Sequence, residues 1–308
     1  MFLEAALFIT GLALLVKGAD FFVGGGSGLA SRFGVTPSLI GFTVVAFGTS
    51  LPEFVVSANA SLTGNPGIAT GNILGSNIAN IALVLAVCGI LKPSILNPHG
   101  SANRGIRIQA LLMLAATALF LLVAWQGTLS APAGVILLIA FVIILRILWK
   151  NCRDDGDGRR EPKGALDILM TAGGLAAVII GSQLVVTSAV GIADSLGVSA
   201  FLIGLTIVAI GTSLPELATS VAAIKSGESG ISVGNLLGSN IFNLLFVLGI
   251  IALITELPIQ EQADLLVMAA FTLAVIPIIL AGERLTRFVS FAVLIGYCTY
   301  IAHLAGLL

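Results

Sequence analysis

Of 308 residues, 57% are hydrophobic and only 9% are charged, where an ordinary soluble domain carries about 25% charged residues. So few charges cannot cover a soluble fold of this length, which excludes a water-soluble enzyme, a nucleic-acid binder and a disordered scaffold. The net charge of −1 says little as a sum; the position of each charge says more.

A bilayer crossing takes about 20 mostly apolar residues. Hydropathy, punctuated by Gly, Pro and charge, predicts spans near residues 2–23, 36–62, 68–91, 105–125, 132–149, 165–188, 199–224, 231–255, 264–281 and 286–305. The first starts at Met1 with no basic leader or small-residue cleavage site and reads as a retained span. Thirteen of the fourteen Lys and Arg fall in the connections after spans 1, 3, 5, 7 and 9, the exception being Lys17. The positive-inside rule places those connections in the cytoplasm and both termini outside. Residues 151–163 (NCRDDGDGRREPK) mix both signs with Gly and Pro and read as a cytoplasmic linker. Asp154, Asp155 and Asp157 within it read as solvated rather than as a cation site. Cys88, Cys152 and Cys298 match no disulfide or zinc spacing.

A shift of 163 residues lays GVTPSLIGFTVVAFGTSLPE (34–53) on GVSAFLIGLTIVAIGTSLPE (197–216), identical at 14 of 20 positions. The same shift lays GNILGSNIAN (71–80) on GNLLGSNIFN (234–243), identical at 8 of 10. Equivalent points lie five spans apart, and five is odd, so the second half enters the membrane in the opposite direction. The expected fold is an all-α polytopic membrane protein of ten transmembrane helices. They form two inverted five-helix repeats, residues 1–150 and 164–308, an arrangement common in secondary transporters.

Of fifteen acidic residues, only Glu53 and Glu216 lie deep in spans. A charge at the bilayer centre costs at least about 2.5–3.5 kcal/mol. No Lys, Arg or His falls in the middle of a repeat helix, so bound cations or protons are the expected counter-charges. Pro52 and Pro215 free the carbonyls of Gly48 and Gly211 and predict helix breaks beside Thr49 and Ser50, and Thr212 and Ser213. Oxygens from backbone, hydroxyl and carboxylate suit hard cations such as Na⁺ and Ca²⁺. Thr49, Glu53 and Ser57 share a helix face, as do Thr212, Glu216 and Ser220. Asn72, Ser76 and Asn80, repeated as Asn235, Ser239 and Asn243, form a second polar face, and Gly71, Gly75, Gly234 and Gly238 allow close helix approach. Thr43, Thr206, Ser57 and Ser220, taken singly, read as interhelical hydrogen-bond glue.

With its twin GTSLPE and GNxxGSN segments the chain resembles the cation/calcium exchanger superfamily, in its sodium/calcium exchanger branch. The resemblance covers nearly the whole chain. It implies a central site in which Glu53 and Glu216 hold Ca²⁺ or, alternatively, Na⁺, with Thr49, Thr212 and the backbone carbonyls of Ala46 and Ala209 completing the Ca²⁺ and flanking Na⁺ sites. Ser76 and Ser239 match hydroxyl ligands of the Na⁺ sites, Ser50 and Ser213 line the centre, and Asn80 lies at its middle. Asn243 stands where some relatives carry Asp, leaving two carboxylates and arguing against K⁺ dependence. The family's usual exchange is three Na⁺ for one Ca²⁺. The resemblance also implies spans 1 and 6 as sliding elements and a plasma-membrane location, with Ca²⁺, Na⁺ and the bilayer as partners and no cofactor. A Ca²⁺/H⁺ antiporter is the nearest rival reading, followed by a passive cation channel. An intramembrane hydrolase using Ser50 or Ser213 lacks a base, since His99 and His303 lie near membrane edges.

Overall fold

The computed structural model describes residues 2–96, 101–151, 164–195, 209–259, 262–280 and 282–304. Helix α1 (Phe2–Phe33) precedes a broken pair, α2 (Pro37–Thr49) and α3 (Leu51–Leu62), bent by 42°. Then come α4 (Pro66–Leu91), α5 (Ser101–Ala124), α6 (Ala131–Asn151), α7 (Ala165–Ser195), α8 (Ala209–Thr212) and α9 (Leu214–Lys225). Helices α10 (Ser229–Ile254), α11 (Gln262–Leu273), α12 (Val275–Leu280) and α13 (Glu283–Leu304) complete the chain. Among the described residues eight helices are long and apolar enough to cross a membrane, or nine if α2 and α3 form one bent span. The protein is an all-helical polytopic membrane protein. Most of the predicted linker and residues 199–208 of the predicted seventh span lie outside the described residues.

Burial is inverted relative to a soluble fold. Leu122, Leu169, Ile180 and Phe288 face outward, whereas Thr49, Ser50, Glu53, Glu216, Asn235 and Asn243 are sealed inside. Lipid imposes this pattern, because a polar group gains nothing by facing hydrocarbon and must find its partners within the protein.

Helices α1 and α7 pack antiparallel along their length. A Cβ on Gly11 would meet the Gly181 carbonyl at 2.9 Å, and one on Gly18 would meet Val178 N at 2.8 Å. A Cβ on Gly181 would meet Leu15 N at 2.5 Å, and one on Gly174 the Gly18 carbonyl at 2.8 Å. Gly11 and Gly18 are the repeat equivalents of Gly174 and Gly181, so two matching glycine stripes are pressed together in opposite directions.

The structure corrects several boundaries. Helix α1 runs to Phe33, ten residues past its predicted end, and Arg32 sits in its last turn rather than in a connection. The run Gly24, Gly25, Gly26, Ser27, Gly28 stays helical because Gly25 packs against Thr171 and Gly28 against Asp167 of α7, tertiary contact overriding weak intrinsic propensity. Short π-helical stretches interrupt α2 (Gly41–Val45), α4 (Asn80–Leu85) and α10 (Phe242–Val247). The all-α expectation is amended by one antiparallel bridge, β1 (Thr128–Leu129) with β2 (Leu257–Pro258), to which Thr70 adds a hydrogen bond at the Pro258 carbonyl, 2.9 Å.

Candidate cation-binding site

The two proline breaks form as the sequence predicts, and they form alike. Ser50 interrupts the first helix at φ −85°, ψ 3°, and Ser213 the second at φ −89°, ψ 3°. Each chain then restarts with Pro52 or Pro215 near the helix start and Glu53 or Glu216 in the first turn. The N-terminus of a helix carries about half a positive charge, so the break delivers each carboxylate to a place that favours its anion. The helices that end at Thr49 and Thr212 present their C-terminal, electronegative ends to the same region. Of the freed carbonyls, that of Gly211 accepts a hydrogen bond from Ser182 Oγ at 3.1 Å.

The site lies between the two halves of the chain. Ser50 Oγ donates to Glu216 Oε1 at 3.3 Å. Thr49 Oγ1 lies 3.0 Å from Asn235 Oδ1, to which it donates, and 3.5 Å from Ser239 Oγ. Ser76 faces Glu53, and the two carboxylates are near enough to act on each other electrostatically. Both are fully buried, at 0% exposure. Among the described residues neither oxygen of Glu53 nor Oε2 of Glu216 has a hydrogen-bond partner, and the same holds for Ser76 Oγ, Ser213 Oγ and Asn80 Oδ1. No group of three or more His, Cys, Asp or Glu forms among the described residues. A cation here would therefore combine two carboxylates with neutral hydroxyl, amide and backbone oxygens.

Outward hydrogen bonds orient these ligands. By giving its proton to Asn235, Thr49 leaves hydroxyl lone pairs free; Asn235 Nδ2 donates in turn to Ser220 Oγ at 3.2 Å. The matching Asn72 Nδ2 donates to Ser57 Oγ at 2.9 Å. Thr43 turns back on the Leu39 carbonyl of its own helix at 2.7 Å, a bond within one helix rather than the interhelical one expected of it. A wall of rings closes one flank: Phe242, beside Asn243, stacks on Phe246 at 4.6 Å between centroids and meets Phe47 edge-on at 5.1 Å.

Of the sequence-predicted residues, Thr49, Ser50, Glu53, Ser76, Glu216 and Ser239 converge. Ser213 is buried beside the second break, Asn80 and Asn243 are buried in π-helical turns, and Thr212 ends α8 half-buried. The Ala46 carbonyl accepts the Ser50 N–H at 3.0 Å and lies 3.4 Å from the Thr49 hydroxyl, whose proton goes to the nearer Asn235 oxygen, so one of its lone pairs serves the helix end. Ala209 begins α8. The expected close approach holds for Gly234 and Gly238, which lie against the backbone of Ser38 and Phe42. Gly71 and Gly75 are exposed, and the segment matching that of Ser38 and Phe42, residues 201–208, lies outside the described residues. Sequence reasoning missed Asn77 and Asn240, although their identity in both GNxxGSN motifs was a usable signal. It also missed Asp167, fully buried against Gly28, and the bond from Ser27 Oγ to Glu228 Oε1, 2.5 Å.

Comparison with known proteins points one way. The family described as sodium/calcium exchanger protein matches residues 3–150 and 166–306. The sodium/calcium exchanger MaX1 of Methanosarcina acetivorans is 31% identical over an alignment of 342 positions, covering 96% of each chain. The inner membrane protein YrbG of Escherichia coli is 40% identical over 276 residues, covering 85% of this chain and 83% of its own. Among solved structures, the sodium-calcium exchanger NCX_Mj soaked with 100 mM Na⁺ and 10 mM Sr²⁺ superposes with a TM-score of 0.82 at 35% identity, covering 98% of both chains.

Proposed function

From the premise that the chain belongs to the sodium/calcium exchanger family, whose members are transporters rather than enzymes, we propose that it exchanges Na⁺ for Ca²⁺ by alternating access at the Glu53–Glu216 centre. One observation carries the reading: two wholly buried carboxylates at the junction of the halves, three of whose four oxygens have no hydrogen-bond partner among the described residues. Two negative charges neutralise one Ca²⁺. Na⁺ competes for the same oxygens, assisted by Thr49, Thr212, Ser50, Ser213, Ser76, Ser239, Asn80, Asn243 and the Ala46 and Ala209 carbonyls. An emptied pair of carboxylates is too costly to carry through the low-dielectric centre, and that cost couples the two fluxes.

Ten spans as two inverted repeats, residues 1–150 and 164–308, joined by a cytoplasmic linker at 151–163, complete the proposal. The antiparallel packing of the matching helices α1 and α7 supports it, as does a family match in two blocks. The location is the plasma membrane, with both termini outside.

In proteoliposomes with Na⁺, K⁺ and pH gradients imposed separately, Ca²⁺ flux is expected to follow the Na⁺ gradient alone. Flux that persists without Na⁺ and follows the pH gradient would instead establish a Ca²⁺/H⁺ antiporter, and flux needing no counter-ion a channel. The outward tie on Thr49 gives a second expectation. Asn235→Leu, which leaves the buried Thr49 and Ser220 hydroxyls without their partner, raises half-saturating Ca²⁺ about tenfold, measured as ⁴⁵Ca²⁺ uptake.

A further inference from the structure

Asn77 and Asn240 occupy equivalent places in the two repeats, as do Asn80 and Asn243. Asn80 Nδ2 donates to Asn240 Oδ1 at 3.5 Å, and Asn240 Nδ2 donates to Met113 Sδ of α5 at 3.6 Å. With its nitrogen tied back in this way, Asn80 keeps a buried Oδ1 that no protein donor occupies. The logic is that of Thr49 and Asn235: the proton is directed away and the oxygen is left for a cation.

The mirror image of this pair is Asn243 with Asn77, and it is not formed. Both residues are buried, Asn243 at 0% and Asn77 at 1% exposure, and the elements that carry them, α4 and the π-helical turn of α10, are packed together. All four of their amide atoms nevertheless lack a hydrogen-bond partner among the described residues. A bound cation satisfies an orphaned oxygen but never an orphaned N–H. Two buried amide nitrogens without acceptors are expensive to keep, so an acceptor should await them in another arrangement of the same residues. The imbalance has the same sense beside the carboxylates: Ser50 holds Glu216, while the matching Ser213 Oγ and both oxygens of Glu53 are unpartnered.

We infer that Asn240 and Asn77 are alternating positioning residues. Asn240 orients Asn80 in this conformation, and Asn77 takes hold of Asn243 when the two repeats exchange conformations, one amide clamp releasing as the other closes. This rests on the exchanger reading above.

The test uses the full-length protein in proteoliposomes, inserted in one known orientation, with half-saturating Ca²⁺ measured from each face in turn. Asn240→Ala is expected to raise it about three- to tenfold on one face and to leave the other within about twofold. Asn77→Ala should do the reverse. Serine at either position, small and polar enough to be accommodated but too short to reach the partner amide, should give the same one-sided shift. Equal shifts on both faces, or none on either, would overturn the clamps. Wild-type Ca²⁺ flux that ignores Na⁺ would overturn the exchanger reading instead, so the two failures are distinguishable.

Discussion

Glu53→Gln and Glu216→Gln are each expected to abolish Na⁺-gradient-driven ⁴⁵Ca²⁺ uptake while leaving the protein folded. Glutamine keeps the size and one carbonyl oxygen of each side chain and removes only the charge. The cage then presents one negative charge to a divalent cation in a region where both carboxylates are fully buried. Removing one partner from a buried charge pair costs about 3–5 kcal/mol, a factor of roughly one hundred to several thousand in affinity. The ligand-free fold loses nothing comparable, because among the described residues no hydrogen bond reaches the Glu53 carboxylate oxygens and Glu216 accepts one from Ser50, which a glutamine oxygen can also accept. Thermal unfolding of the ion-free variants should therefore match or exceed that of the wild type. Substantial residual exchange in either variant would remove the two-glutamate centre from the proposal.

The parts of this site that were legible in the sequence were those dictated by backbone chemistry. A proline inside an apolar span must break the hydrogen-bond ladder, and the breaks at Ser50 and Ser213 follow, with nearly identical dihedral angles. A repeated carboxylate within an apolar span must be kept from lipid, and Glu53 and Glu216 are both fully buried. What escaped was set by contact between distant segments. The glycine run after Val23 has the composition of a helix end, yet α1 continues because Asp167 and Thr171 lie against it. Hydropathy cannot see that a glycine is covered by another helix. The π-helical turns holding Asn80 and Asn243 were equally invisible, since one extra residue per turn leaves the apolar pattern almost unchanged; such turns often occur at functional sites. The same blindness hid Asn235 as the partner of Thr49, because that bond joins residues 186 positions apart.

The second large effect is expected at the interface of α1 and α7. Gly11 and Gly18 are seven residues apart, two helical turns, and so share a face; Gly174 and Gly181 do the same on the partner helix. Where they meet, backbone touches backbone at the glycines, the smooth contact that the proposed sliding of one helix along the other needs. A Cβ on Gly181 would stand 2.5 Å from Leu15 N and 2.8 Å from the Gly11 carbonyl, closer than any side chain is tolerated. Gly181→Leu and its repeat equivalent Gly18→Leu must therefore separate the helices, at about 1–3 kcal/mol for an overpacked contact, and set ridges across the seam along which we propose that they slide. Since the ligands lie on other helices, the expected signature is a maximal exchange rate at least about tenfold lower with half-saturating Ca²⁺ changed by less than about twofold. Gly173→Leu is the control: it sits beside Gly174 but is exposed, with nothing within 4 Å of its would-be Cβ, and should exchange at the wild-type rate. If Gly181→Leu raised half-saturating Ca²⁺ without slowing maximal exchange, or if Gly173→Leu were as damaging as Gly181→Leu, the α1–α7 seam would not be where the protein moves.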